Sequence, residues 1–140
     1  MRASRRWKTM ICGVAAVTGI ALGTGTAHAV PIGQTITGKL DFYEKIGKGP
    51  CGTWINTGAG DLAAVNASLW TAADSTKDEL CGLKVTVTYN GTIIDVWVRD
   101  KCTSCGPNDL VLSENAFRKI VPWGTDKVDK VEWEFFRPQQ

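Results

Sequence analysis

Four cysteines constrain this chain more than any other feature. Cys51, Cys81, Cys102 and Cys105 all lie in the C-terminal two-thirds of a 140-residue chain, whereas the fifth, Cys12, lies in a segment of a different kind. Residues 1–29 read as an export leader. Arg2, Arg5, Arg6 and Lys8 give a basic start, residues 10–23 an apolar stretch, and Ala27-His28-Ala29 a small-residue cleavage site. The apolar stretch of about 14 residues is interrupted by Gly13, Gly19 and Gly23, too short for a stable bilayer-spanning helix. The Arg5-Arg6 pair leaves twin-arginine and general secretory export both open. Cleavage after Ala29 leaves residues 30–140 as a single domain with an even number of cysteines. In a small exported domain that count argues for two disulfides, because the core alone is modest and the compartment is oxidising. The count allows three pairings. Cys102-Thr-Ser-Cys105 also has the spacing of half a zinc site or a redox pair. Zinc would need Cys51 and Cys81 as lone, widely separated partners, and a redox pair needs a βαβ setting that this sequence lacks.

Loss of the leader changes the charge argument. The chain holds 16 Lys+Arg against 14 Asp+Glu, but the leader carries four basic residues and no acidic one, so residues 30–140 keep 12 against 14, a net of −2. Such a domain has no electrostatic reason to seek nucleic acid or anionic lipid. The only histidine, His28, leaves as well, which weakens histidine acid–base catalysis and imidazole metal sites together. No cofactor, no metal and no membrane association after cleavage are expected, and the domain is read as a secreted, extracellular monomer.

Hydropathy alternation predicts a mainly β domain. Residues 30–34 read as a short flexible arm. Over Thr35–Tyr43 the residues Ile36, Leu40 and Phe42 share one parity, the mark of a half-buried strand. Residues 44–60 hold six glycines and prolines and read as a long loop. Residues 61–70 predict a helix, with Asp61 as cap and Leu62, Val65 and Leu69 at helical spacing. Residues 83–89 and 92–100 alternate again about Asn90-Gly91, a strong hairpin signal. In the second of these strands Ile94, Val96 and Val98 face inward while Asp95, Trp97 and Arg99 face outward. Ser113 caps a short helix that turns Phe117 and Ile120 or Val121 to the core, and Val128–Phe136 closes the chain as a strand with Val131, Trp133 and Phe135 on one face. Strands in this number, two short helices and long glycine loops favour a small closed barrel, which leaves no sheet edge to aggregate.

The order of Gly38-Lys39, Phe42-Tyr43, Cys51-Gly52, Leu62-Ala63-Ala64-Val65, Cys81-Gly82, the block from Val96 to Cys105 around Arg99-Asp100-Lys101-Cys102, Leu112-Ser113, Ala116-Phe117 and Trp133 resembles the double-psi β-barrel of expansins, barwin-like proteins, rare lipoprotein A and family-45 endoglucanases. It resembles still more closely the exported papain inhibitors of streptomycetes, which share the Pro-Ile-Gly-Gln start and the Arg-Asp-Lys-Cys block. The resemblance implies a six-stranded double-psi β-barrel with short helices and disulfides Cys51–Cys81 and Cys102–Cys105. It further implies a cysteine-protease inhibitor that occludes a papain-like cleft without covalent chemistry. The alternative it implies is an expansin-like wall-polysaccharide binder without hydrolytic activity.

Hydrolysis by acid–base chemistry needs two placed carboxyl groups. Asp100 matches the acid of the hydrolytic relatives, but their Asp-Leu-Ser motif reads Val111-Leu112-Ser113 here, and their histidine stands at Val65. Asp109 is two residues away from the missing position. Asp100 therefore reads as a structural carboxylate, and no catalytic residue is assigned. For protease contact, Gln34-Thr35-Ile36-Thr37-Gly38 resembles the Gln-x-Val-x-Gly wedge of cystatins and Pro122-Trp123 their second wedge, making Gln34, Ile36, Gly38 and Trp123 candidates. For glycan stacking the candidates are Trp54, Trp97 and Trp123, while Trp70 and Trp133 read as core.

Overall fold

The computed structural model describes residues 29–140, so the leader read over 1–29 lies outside the described residues apart from its last position. Eight strands and one α-helix follow in chain order: β1 (Thr35–Tyr43), β2 (Ile46–Lys48), β3 (Trp54–Asn56), β4 (Leu62–Asn66), β5 (Lys84–Tyr89), β6 (Thr92–Cys102), β7 (Leu110–Ser113), α1 (Glu114–Ile120) and β8 (Val128–Phe136). Six of the strands close a barrel in the order β1-β7-β4-β6-β5-β8, and β2 and β3 form a separate two-stranded ribbon. No helix among the described residues is long and apolar enough to cross a membrane.

The period-2 strands form as read. Along β6, Val96 and Val98 are buried, Ile94 is half-buried and packs against the core, and Asp95 faces solvent. Val131, Trp133 and Phe135 of β8 are all buried, with the Trp133 and Phe135 rings edge to face at 4.9 Å. The hairpin turn at Asn90-Gly91 is made by positive φ at both residues (47° and 78°), the conformation that favours this pair. Trp133 is core, as expected, while Trp70 is half-buried against it.

Three readings are corrected. The segment read as a helix is β4 followed by a 3-10 turn at Ala67–Leu69. Leu62, Ala63, Ala64 and Val65 are all buried because β4 lies between β6 and β7 inside the barrel wall. A strand covered on both faces has no alternation, and its apolar spacing then imitates a helix. Asp61 does not cap it but holds α1, accepting from the Asn115 side-chain amide at 2.7 Å and pairing with Lys119. The glycine-rich stretch 44–60 contains the β2–β3 ribbon. Finally, the arm at 30–34 is pinned: Ile32 bridges to Phe135, the Gly33 amide donates to the Phe135 carbonyl at 2.9 Å, and Val30 and Ile32 pack on the core.

The helix at Ser113 forms as read and shows how one side chain joins three elements. The buried Ser113 hydroxyl caps α1 by accepting from the Ala116 amide and also accepts from the Leu62 amide at 3.1 Å, tying α1, β7 and β4. Phe117, Ile120 and Val121 are buried beneath it.

Between β4 and β5 the chain has no strand, and Asp78 organises it. Its buried carboxylate accepts from the amides of Thr71 (2.9 Å), Ala72 (2.9 Å) and Leu80 (3.0 Å). Burial by itself raises its pKa, but the three amide donors and the Lys101 charge outweigh burial and hold it below the usual carboxylate range. A carboxyl depressed in the folded state stabilises the fold above its unfolded pKa, about 4. That contribution is lost as pH falls through the lower folded value. Asp78→Ala should lower stability by roughly 2–4 kcal/mol at neutral pH. Denaturant unfolding as a function of pH should also show the acid-side loss flattened in Asp78→Asn.

Candidate functional site

The C-terminal half of β1 opens into a cleft of about 580 Å³ lined by residues 39–45, 100–105, 109–111 and 127–129, with Ala64 of β4. The strand pattern explains its position. β1 runs parallel to β7 from Leu40 to Tyr43, and β6 runs parallel to β4 up to Cys102; the cleft is framed by the second half of β1, the end of β6, the start of β7 and Ala64 of β4.

Asp100, 7% exposed at its side chain, accepts from Lys45 Nζ at 2.9 Å through Oδ2 and from the Lys101 amide at 2.9 Å through Oδ1. Beside it the Tyr43 hydroxyl is buried without a hydrogen-bond partner, and burial first, then the Asp100 charge, push its phenol above the ordinary range. Asp109 is occupied as well, accepting from the Lys39 amide (3.0 Å) and the Gly106 amide (2.9 Å). Asp41 accepts from the Phe42 amide at 2.8 Å, and its other oxygen lies 3.9 Å from Lys127 Nζ. Val111 stands opposite Asp41 in the β1–β7 register. These carboxylates terminate ion pairs and backbone amides. No group of three or more His, Cys, Asp or Glu side chains suited to a metal occurs among the described residues.

The disulfides are Cys51–Cys81 and Cys102–Cys105. The second borders the cleft, whereas the first ties the turn between β2 and β3 to the 3-10 segment Glu79–Gly82.

The candidate binding residues are spread over the arm before β1, β1 itself, β3, β6 and the α1–β8 loop. Gln34 is exposed just before β1, and Ile36 is half-buried opposite Trp133 in the β1–β8 ladder. Gly38 answers a packing need: a Cβ there would sit 2.0 Å from the Asn108 carbonyl oxygen, which also accepts the Trp133 indole N–H at 3.0 Å. Trp97 is half-buried, with Lys84 Nζ and Arg99 Cζ at 4.9 and 4.6 Å from its ring centroid. Trp54 on β3 is 69% exposed and Trp123 in the α1–β8 loop 77% exposed. Trp123 lies against Arg118, whose guanidinium also contacts Phe42 and Phe117 and donates to the Pro122 and Thr125 carbonyls. Sequence reasoning missed Tyr43, Lys45 and Arg118. Lys45 meets Asp100 across 55 residues, a separation for which no local pattern exists.

Two substitutions test this geometry by thermal or denaturant unfolding. Gly38→Ala should cost roughly 2–3 kcal/mol, because the new methyl meets backbone that cannot swing aside. Tyr43→Phe should leave stability unchanged or raise it by up to about 1 kcal/mol, since it removes a buried hydroxyl that has no partner.

Comparison with known proteins bears on the same features. No protein-family profile matches the chain. The papain inhibitor of Streptomyces mobaraensis is 45% identical over 139 residues, 97% of each chain. The allergen Asp f 7 of Aspergillus fumigatus is 28% identical over 82% of this chain but only 42% of its own length. Among solved structures, the Streptomyces papain inhibitor superposes with a TM-score of 0.74 at 44% identity, covering 77% of this chain and 99% of that one. The expansin of Clavibacter michiganensis superposes with a TM-score of 0.61 at 24% identity over 76% of this chain and 52% of its own, which establishes the double-psi barrel fold alone. The chain belongs to the family of the Streptomyces papain inhibitor.

Proposed function

We propose that this protein is a secreted inhibitor of papain-like cysteine proteases, acting by non-covalent occlusion of the active-site cleft. The observation that carries the reading is the 45% identity to a papain inhibitor across 97% of both chains. In this reading residues 1–29 are an export signal and residues 30–140 the mature, monomeric inhibitor. Its physical support is rigidity. An inhibitor that is not cut needs a surface that loses little freedom on binding, and a closed barrel with two disulfides provides that.

The carboxylates support a role other than catalysis. Asp100 and Asp109 each have both oxygens occupied by nearby donors, and Val111 stands where hydrolytic relatives keep their second acid. The expansin-like reading rests on the fold, and nothing in the site favours it over inhibition.

The test uses protein exported from cells expressing the full chain, with its N-terminus sequenced. Val30 as first residue is expected. Titration into papain should abolish activity near one equivalent, with the inhibitor recovered uncut. Unchanged papain activity, together with retention of the protein on insoluble glycan, would overturn the reading in favour of a wall binder.

A further inference from the structure

Four large hydrophobic side chains are highly exposed among the described residues: Ile46, Trp54, Ile93 and Trp123. Two of them are neighbours. In the β2–β3 ribbon Ile46 pairs with Asn56, Gly47 with Ile55 and Lys48 with Trp54. Residues directly opposite share a face, so Ile46, Lys48, Trp54 and Asn56 form one outward face and Gly47 and Ile55 the inward one. Ile55 is fully buried, whereas Ile46 is 73% and Trp54 69% exposed. Ile46 and Trp54 are diagonal neighbours on that face, about 7–8 Å apart.

The ribbon is held at both ends. At its base Lys45 and Thr57 exchange backbone and side-chain hydrogen bonds, and the Thr57 carbonyl accepts from the Asn115 amide of α1 at 3.0 Å. At its tip the Gly49 amide donates to the Thr53 carbonyl, Cys51 is bonded to Cys81, and the Ser75 hydroxyl donates to the Pro50 carbonyl at 2.8 Å. Gly49 lies so close to the Arg99 carbonyl, 2.9 Å from where a Cβ would be, that the tip rests directly on β6. A short exposed ribbon fixed in this way keeps its two apolar side chains presented without paying for order on binding.

We infer that the outward face of this ribbon is the protease-contacting surface, with Trp54 and Ile46 entering apolar subsites of a papain-like cleft and Lys48 facing an acidic rim. The inference rests on the inhibitor reading and says which surface serves it. Three observations support this occupant. The face joins an aromatic and an aliphatic anchor, the composition that dominates protein interfaces. Lys48 is its only charged side chain and makes no ion pair among the described residues, so it is available to an acidic partner. The ribbon is a separate two-stranded sheet with backbones about 5 Å apart, so its outward side chains stand together as one narrow ridge. Its strands already bond each other, so the enzyme cannot draw either one out as a substrate strand. Trp123 is a poorer anchor because it stands alone, with Arg118 4.4 Å from its ring centroid.

The experiment measures papain inhibition constants for the exported wild type, Trp54→Ala, Ile46→Ala, the double variant and Trp123→Ala, each with its melting temperature. All three positions are exposed, so melting temperatures should stay near wild type. Trp54→Ala is expected to weaken inhibition by roughly tenfold to thirtyfold and Ile46→Ala by less, with Trp123→Ala close to wild type. A double variant that melts like the wild type and inhibits equally well would overturn the ribbon assignment while leaving the inhibitor reading intact. The assignment is equally overturned if that variant keeps inhibition but loses retention on insoluble glycan. A wild type that fails to inhibit papain would remove both.

Discussion

The barrel depends on β1 being paired on both sides. Its first half runs antiparallel to β8 and its second half parallel to β7, and Leu40 is the residue where the two seams meet, opposite Val128 on one side and Leu110 on the other. A side chain at Gly38 would collide with the Asn108 carbonyl just before that crossing. Closing the sheet there satisfies the backbone groups that an open edge would leave exposed, and it places the alternating side chains of β5, β6 and β8 in one core with Leu40, Leu110 and Leu112. The cleft follows from the same geometry, since past the crossing Asp41, Tyr43 and Lys45 reach the barrel's end beside Asp100.

Charge in this molecule serves mainly to hold loops. Asp78 gathers three amides, Asp109 two, Asp61 anchors α1, and Arg118, packed on the Phe42 and Phe117 rings, binds the α1–β8 loop through two carbonyls, Asp126 and the Trp123 ring. Carboxylates that are each occupied by nearby donors leave little scope for proton transfer and much for rigidity. That balance agrees with the inhibitor reading proposed above.

What could be read in the sequence was what repeats locally. β1, β5, β6 and β8 alternate because one face is wet, the Asn90-Gly91 turn has its own backbone chemistry, and Ser113 announces the start of α1. β4 misled because Leu-Ala-Ala-Val is buried on both faces, and β7 is only four residues long, too short for any period to register. The ribbon was hidden among glycines that the turn at 49–52 requires. Of the cleft, the sequence showed Asp100, Asp109, Val111 and the Cys102–Cys105 border, but not what holds Asp100. Its ion-pair partner Lys45 and its neighbour Tyr43 come from the residues just past β1 and from its far end, and were brought there by barrel closure, which no window of sequence contains.

The pairing of β1 with β8 also has a kinetic side. Thr35–Tyr43 finds its strand neighbours only among residues 110–136, which are made long after it. Until those residues are available the first strand has nothing to join, and the one long antiparallel pairing that can form early is the β5–β6 hairpin. Assembly thus waits on contacts far apart in sequence, in the manner of folds dominated by distant contacts, which form over milliseconds to seconds rather than microseconds. β1 therefore has no place in the sheet until residues 110–136 have been made.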